Sequence, residues 1–217
     1  FGDLLTNEYN MCSGSNSVRG LIGPGSQTND QIGYLTFAST GNLVDFGDPN
    51  VDRAHAAGIT SPTRYCIGGG TDTPASPTNI IDFLEMATTG NAIDFGDMTT
   101  ARDFYASASS FTRGVFMGGL DPSKYNTIDY IEIASHGNAT DFGDLTAATS
   151  GPSGTSNSVR GLMGGGAAGS PYVNVIEYLQ IPSSGNTADF GDLTLARSYP
   201  NALSNGHGGL EFQDPNV

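Results

Sequence analysis

The sequence predicts an all-β fold built from repeated four-stranded units, and three observations carry that expectation. The triplet Phe-Gly-Asp occurs five times, with its phenylalanine at Phe1, Phe46, Phe95, Phe142 and Phe190, so the spacings are 45, 49, 47 and 48 residues. Periods of this size belong to helical arrays or to four-stranded propeller blades. Composition then decides between them: 31 of 217 residues are glycine and only 14% are charged, a balance that favours tight turns over long helices. Third, no long 3.6-residue apolar periodicity is present, whereas β-branched and aromatic residues alternate in short runs.

Distances within the repeat place each element. Eighteen residues after the phenylalanine stands Arg19, Arg64, Arg113 or Arg160, with Gly208 in the fifth copy. Four residues before each later phenylalanine stands Asn42, Asn91, Asn138 or Asn186, always after a glycine. Eight residues before each asparagine comes Tyr34, Phe83, Tyr130 or Tyr178. From arginine to aromatic the gaps are 15, 19, 17 and 18 residues, so the variation in period falls in one loop per unit.

The segments 31–38, 80–87, 127–134 and 175–182 read as strands, and the Gly-Asn steps that follow suit short hairpins. The next strand ends in Asp-Phe-Gly-Asp. Segments 9–17, 55–62, 104–111, 150–158 and 199–205 are rich in Ala, Ser and Gly, as expected of a strand crowded against a central axis. An apolar strand such as 115–117 follows, closed by a glycine doublet. Four strands per period make one blade of a β-propeller.

The order of Ala-Arg, small-residue strand, apolar strand, Gly-Gly, loop, aromatic strand and aromatic turn resembles the kelch repeat. The doublets are Gly69-Gly70, Gly118-Gly119 and Gly165-Gly166, with Gly23-Pro24-Gly25 in the first copy. The kelch tryptophan of the fourth strand is replaced by Phe46, Phe95, Phe142 and Phe190. Arg53, Arg102 and Arg197 keep the kelch arginine, and Glu8 and Thr149 lose it. The resemblance implies one propeller over 1–217, with repeats at 1–45, 46–94, 95–141, 142–189 and a partial 190–217 that closes the ring with the N-terminus. Five blades are expected; a window on a six- or seven-bladed propeller is the alternative. The wording around Asn138-Ala139-Thr140-Asp141-Phe142-Gly143-Asp144 is also similar to repeats in structural and tail-fibre proteins of marine bacteriophages, which implies a virion or extracellular-surface setting.

The net charge of −14 repels phosphate backbones and anionic lipid, so neither nucleic acid nor a membrane surface is an expected partner. No apolar run reaches the roughly 18 residues of a membrane-spanning helix, and no signal peptide is evident. The chain begins at Phe1, as a processed or excised piece would. Cys12 and Cys66 read as two buried free thiols, although a bridge between neighbouring repeats is open.

The repeated Phe46, Phe95, Phe142 and Phe190 read as the fixed scaffold of each blade, and Arg19, Arg64, Arg113 and Arg160 as one blade-to-blade contact each, over carboxylate or carbonyl groups. The carboxylate pairs Asp45/Asp48, Asp94/Asp97, Asp141/Asp144 and Asp189/Asp192 offer Ca2+ an oxygen ligand set; turn capping or arginine pairing is the preferred reading. No other cofactor is expected. A kinase reading of Asp-Phe-Gly fails because the triplet repeats. His55, His136 and His207 stand at different repeat positions and suggest neither metal site nor triad.

Binding is expected in the length-variable loops, at Asn29, Asp30, Asp72, Thr73, Asp121, Lys124, Tyr125, Tyr172 and Asn174, where tyrosine, asparagine and aspartate suit sugar hydroxyls. The expected role is therefore non-enzymatic: a virion structural or receptor-binding module whose partners are other virion proteins or a surface glycan. A free lectin with repeated sites is the alternative, and an enzyme on a kelch scaffold is least favoured.

Overall fold

The structure is a computed structural model that describes residues 2–7, 9–25, 31–72, 75–169 and 172–204. Four antiparallel sheets follow one another along the chain. The first holds β1 (Ser13–Ser15), β2 (Arg19–Ile22), β3 (Ile32–Thr36) and β4 (Val44–Gly47) in that order. Next come β5 (Arg53–Ala54), β6 (Ala57–Thr60), β7 (Arg64–Gly68), β8 (Thr71–Asp72), β9 (Ile80–Glu85) and β10 (Ile93–Asp97). Of these, β6, β7, β9 and β10 form the second sheet, while β5 and β8 pair as a two-residue ribbon. The third sheet is β11 (Ala106–Ser109), β12 (Arg113–Met117), β13 (Thr127–Glu132) and β14 (Thr140–Asp144). The fourth is β15 (Ser153–Ser156), β16 (Arg160–Gly164), β17 (Val175–Gln180) and β18 (Ala188–Asp192). The chain is thus an all-β propeller of four-stranded, kelch-like blades.

The repeated phenylalanine owes its place to a bulge. In the third blade Asp129 pairs with Asp141 and Ile128 with Gly143, so Phe142 is the extra residue. The bulge turns Phe142 inward, where it is buried and meets Tyr130 edge-on at 5.9 Å between ring centres. Each repeated arginine lies over the aromatic of its own third strand, at 4.9, 4.8, 4.3 and 4.8 Å for Arg19, Arg64, Arg113 and Arg160. The first three also reach the next blade: Arg19 donates to the Met86 carbonyl, Arg64 to Ile133 and Arg113 to Ile181. Their blade-to-blade partners are therefore carbonyl oxygens.

The Gly-Asn steps correct the sequence expectation. The hairpin turn falls earlier, closed by Ser39 N–H to Thr36, Thr88 to Glu85, Ser135 to Glu132 and Ser183 to Gln180. Gly-Asn instead clasps the outer strand of the preceding blade. Gly137 N–H donates to the Phe95 carbonyl at 2.9 Å, Ala139 N–H to Asp97 at 2.7 Å, and Asp97 N–H to Asn138 Oδ1 at 3.1 Å. The same three bonds join Phe46 and Asp48 to Gly90, Asn91 and Ala92, and Phe142 and Asp144 to Gly185, Asn186 and Thr187. At the N-terminus Asp3 takes the same place against Asn42 and Leu43. A fixed Phe-Gly-Asp and a fixed Gly-Asn are thus two halves of one joint.

The apolar core is likewise divided between blades. One cluster joins Leu21, Ile32 and Phe46 of the first blade to Tyr65, Ile67, Leu84 and Met86 of the second. A second joins Phe83 and Phe95 to Phe116, Ile131 and Ile133, and a third joins Phe142 and Ile128 to Met163, Leu179 and Ile181. At roughly 1.5–3 kcal/mol for each fully buried large side chain, these interfaces supply much of the driving force for closing blade on blade. Cys12 and Cys66 are buried in different clusters and form no disulfide with each other. Burial pushes the Cys66 thiol up to about 12, which keeps it protonated and inert at neutral pH.

The innermost strands β1, β6, β11 and β15 surround a channel of about 540 Å³, and residues 202–204 line it as well. Small residues are needed there because neighbouring inner strands nearly touch. Ser107 Oγ donates to the Gly58 carbonyl at 2.7 Å, and Ser156 Oγ to Ser109 at 2.7 Å. The rest of the expected fifth blade falls largely on residues outside those described. On the flank of the fourth blade, Phe190 is 51% exposed while Phe46, Phe95 and Phe142 are 2–3% exposed. Phe190 keeps its edge contact with Tyr178 and Arg160 its ring contact, but among the described residues neither meets a following blade.

The carboxylate pairs also differ from the sequence alternatives. Asp45, Asp94, Asp141 and Asp189 are exposed on the outer strands. Asp48, Asp97 and Asp144 use their backbone in the clasp, and Asp192 holds the same register on β18 against Val175. Among the described residues no three His, Cys, Asp or Glu side chains gather as a cation would require.

Candidate binding site at the channel mouth

Each blade is entered by a link from the previous outer strand, and buried charge anchors two of those links. Arg53 and Asp82 are both fully buried and form an ion pair through Arg53 Nη2 and Asp82 Oδ2. Arg53 also donates to the carbonyls of Ile80 at 2.7 Å and Gly69 at 3.2 Å. In the third blade Arg102 Nη1 lies 3.1 Å from Asp129 Oδ2, again with both side chains fully buried. Where Thr149 replaces the arginine, Glu177 stands at the carboxylate position and accepts bonds from Thr146 and Thr187 instead. The first repeat changes both members, to Glu8 and Gly33.

Two residues beyond each anchor position the backbone turns left-handed. The residues are Asn10 (φ 57°), His55 (58°), Phe104 (52°), Gly151 (63°) and Tyr199 (53°), one per repeat. Glycine adopts this conformation without strain and asparagine tolerates it, so the bulkier side chains are held there at a cost of about 1–3 kcal/mol each. A chain of backbone bonds explains how. His55 N–H donates to the Asn10 carbonyl, Phe104 to His55, Gly151 to Phe104 and Tyr199 to Gly151, at 2.7–3.4 Å. The next residues, Met11, Ala56, Tyr105 and Pro152, line the channel. The left-handed positions are therefore its rim.

The rim side chains form a continuous arc. Asn10 Nδ2 lies 2.6 Å from His55 Nε2, and the His55 ring stacks on Phe104 with centres 4.0 Å apart. Phe104 meets Tyr199 edge-on at 5.6 Å, passing over Gly151. A Cβ on Gly151 would lie 3.0 Å from the Tyr199 ring, so glycine is what permits that contact. His55 Nδ1 is 3.5 Å from Thr71 Oγ1, which donates to Asp103 Oδ2 at 2.5 Å. One arrangement satisfies the whole chain: Asn10 donates to Nε2, Nδ1–H donates to Thr71, and Thr71 donates to Asp103.

Electrostatics follow that geometry. Burial lowers the His55 pKa, with Asp103 opposing it. Burial raises that of Asp103, opposed by the Thr71 bond and His55, with Asp121 adding to the rise. The Tyr199 phenol is raised by burial and by the neighbouring Asp103 and Tyr172. Because the unfolded chain takes up a proton near pH 6.5 that folded His55 resists, the stability contribution of neutral His55 is present above that pH and lost below it. The thermal midpoint should fall between pH 7 and 5.5, and His55→Gln should flatten that fall; an unchanged slope in the variant would assign it to other groups.

The variable loops lie on the same face, since the blade links bridge to them at Asp103–Leu120, Ser150–Ala167 and Arg53–Asp72. Asp72 Oδ1 accepts from Ser76 N–H, Tyr125 OH donates to the Asp121 carbonyl, and Lys124 Nζ donates to Gly169 of the neighbouring loop. Asn174 accepts from Leu193 N–H through its backbone, and Tyr172 is 58% exposed. Asn29, Asp30 and Thr73 lie outside the described residues. Asn10, His55, Phe104 and Tyr199 were not among the sequence candidates. Counting nine residues on from each phenylalanine finds them, as the one position in a fixed frame that reads Asn, His, Phe, Gly and Tyr.

Fold and rim together define a repeat propeller with a mouth whose side chains are non-equivalent. The chain is similar to the solved structure of YjhT, with a TM-score of 0.74 and 9% identity over 90% of this chain and 68% of that chain. At that identity the likeness concerns the fold. No family model matches the sequence, and no curated protein does.

Proposed function

We propose that this chain is a non-catalytic binding module that engages a surface glycan through the loop-bearing face, in the adhesive or virion-appendage setting to which the repeat text is similar. The observation that carries the reading is the arc Asn10–His55–Phe104–Tyr199, held on strained backbone over the channel. A left-handed backbone kept at the same position of every repeat, with side chains rather than glycine in all but one, marks a site where side-chain direction matters more than stability. Aromatic faces beside amide and carboxylate groups suit a sugar ring, through stacking and hydroxyl bonds. Binding is preferred to turnover because both His55 nitrogens are engaged by neighbours. The rim residues differ at every repeat, which favours one composite site over a lectin with equivalent sites. The test is a glycan array probed with multivalent protein. Binding that Tyr199→Ala abolishes, with the circular dichroism unchanged, supports the reading; a blank array at high valency sinks it.

A further inference from the structure

Among the described residues, the mouth carries negative charge that no arginine or lysine pairs. Asp103 is buried beside the rim, yet its side chain is met by the Thr71 hydroxyl and not by an arginine or lysine. That sets it apart from Asp82 and Asp129, each of which has a buried arginine. Asp103 is bridged to Leu120 by two backbone bonds, of 3.2 and 2.9 Å, which brings the neighbouring Asp121 to the same edge. Lys124, in the same loop, has its ammonium on the Gly169 carbonyl. Phe104 follows Asp103 in the chain, His55 and Tyr199 both feel the Asp103 charge across the rim, and ring faces attract cations.

We propose that the ligand of this mouth is an amine-bearing pyranose, its ring against Phe104 and Tyr199 and its ammonium beside Asp103 and Asp121. The proposal rests on the glycan-binding reading above and adds the charge of the sugar. The ligand supplies the counter-charge that Arg53 and Arg102 supply elsewhere in the fold. An anionic sugar is repelled by the same carboxylates and by a chain of net charge −14.

The experiment is calorimetric or NMR titration of the full chain with glucosamine, N-acetylglucosamine, glucose and glucuronate near pH 6.5 and at low salt. Glucosamine should bind about tenfold more tightly than its N-acetyl form or glucose, as one desolvated cation–ring contact and an ion pair would give. Glucuronate should not bind. Asp103→Asn, which keeps an acceptor for Thr71, should remove the preference for glucosamine over glucose. Tyr199→Ala should weaken all three binding sugars alike. Equal binding of glucosamine and glucose overturns the amine assignment while the glycan reading stands. Failure of every sugar, with a blank array, overturns both.

Discussion

Arg53→Ala is expected to lower the free energy of unfolding by about 3–5 kcal/mol, the range for removing one member of a buried ion pair. The loss is not the worth of the pair. It is the cost of leaving Asp82 fully buried with its arginine gone and only the Asn50 N–H still bonded to it. Burial already raises the Asp82 carboxyl against the opposing pull of Arg53, so its removal drives that carboxyl further towards the neutral form. The sign then follows. A carboxyl with a raised folded-state pKa contributes stability below the unfolded-state value of 3.8, and loses it as the pH rises through the folded value. The deficit of Arg53→Ala should therefore be largest at neutral pH and shrink towards pH 4. Arg53→Met paired with Asp82→Leu should recover much of it, because no charge is then left buried. The fourth blade shows that the fold tolerates another solution, with Thr146 and Thr187 on Glu177. Urea unfolding measures each variant, and a loss below about 1 kcal/mol, the level of an exposed pair, would deny Arg53 this anchoring role.

What the sequence makes legible is whatever recurs with its residue type unchanged. Phe46, Phe95 and Phe142, and Arg19, Arg64 and Arg113, are fixed in identity and spacing, and their contacts between blades follow. The small-residue strands are legible for the same reason, since crowding at the channel forbids large side chains in every blade. Gly-Asn recurs as faithfully but is misread as a turn, because its partners lie some 41–44 residues away in the neighbouring outer strand and local turn chemistry contains nothing of them. The Arg53–Asp82 pair is hidden for a related reason: the arginine is visible as a kelch feature, but its carboxylate sits in a different strand of the blade. The rim is hidden most deeply. What repeats at Asn10, His55, Phe104, Gly151 and Tyr199 is a backbone angle, and the aromatic residues give no sign that φ is positive. The side chains there vary because the scaffold holds the backbone regardless of them, which frees that position for recognition.

The clasp between blades can be tested at two glycines that share a backbone but not a neighbour. Gly96 and Gly191 have nearly the same φ, 144° and 143°, so alanine at either imposes similar strain, about 1–3 kcal/mol. A Cβ at Gly96 would fall 2.5 Å from the Gly137 carbonyl oxygen, whereas at Gly191 it meets nothing within 4 Å among the described residues. The Gly137 carbonyl cannot retreat without stretching the bonds from Gly137 to Phe95, from Ala139 to Asp97 and from Asp97 to Asn138. Gly96→Ala should therefore exceed Gly191→Ala by a further 1–3 kcal/mol or so, the worth of two or three backbone bonds weakened together. The excess should appear as a lower urea midpoint, and hydrogen exchange should speed up at Gly137 and Ala139 while the third-strand amides of the same blade stay protected. Equal costs at the two glycines would mean that the backbone angle alone fixes glycine in the triplet. The blades would then be held by the buried phenylalanines and arginines without help from the clasp.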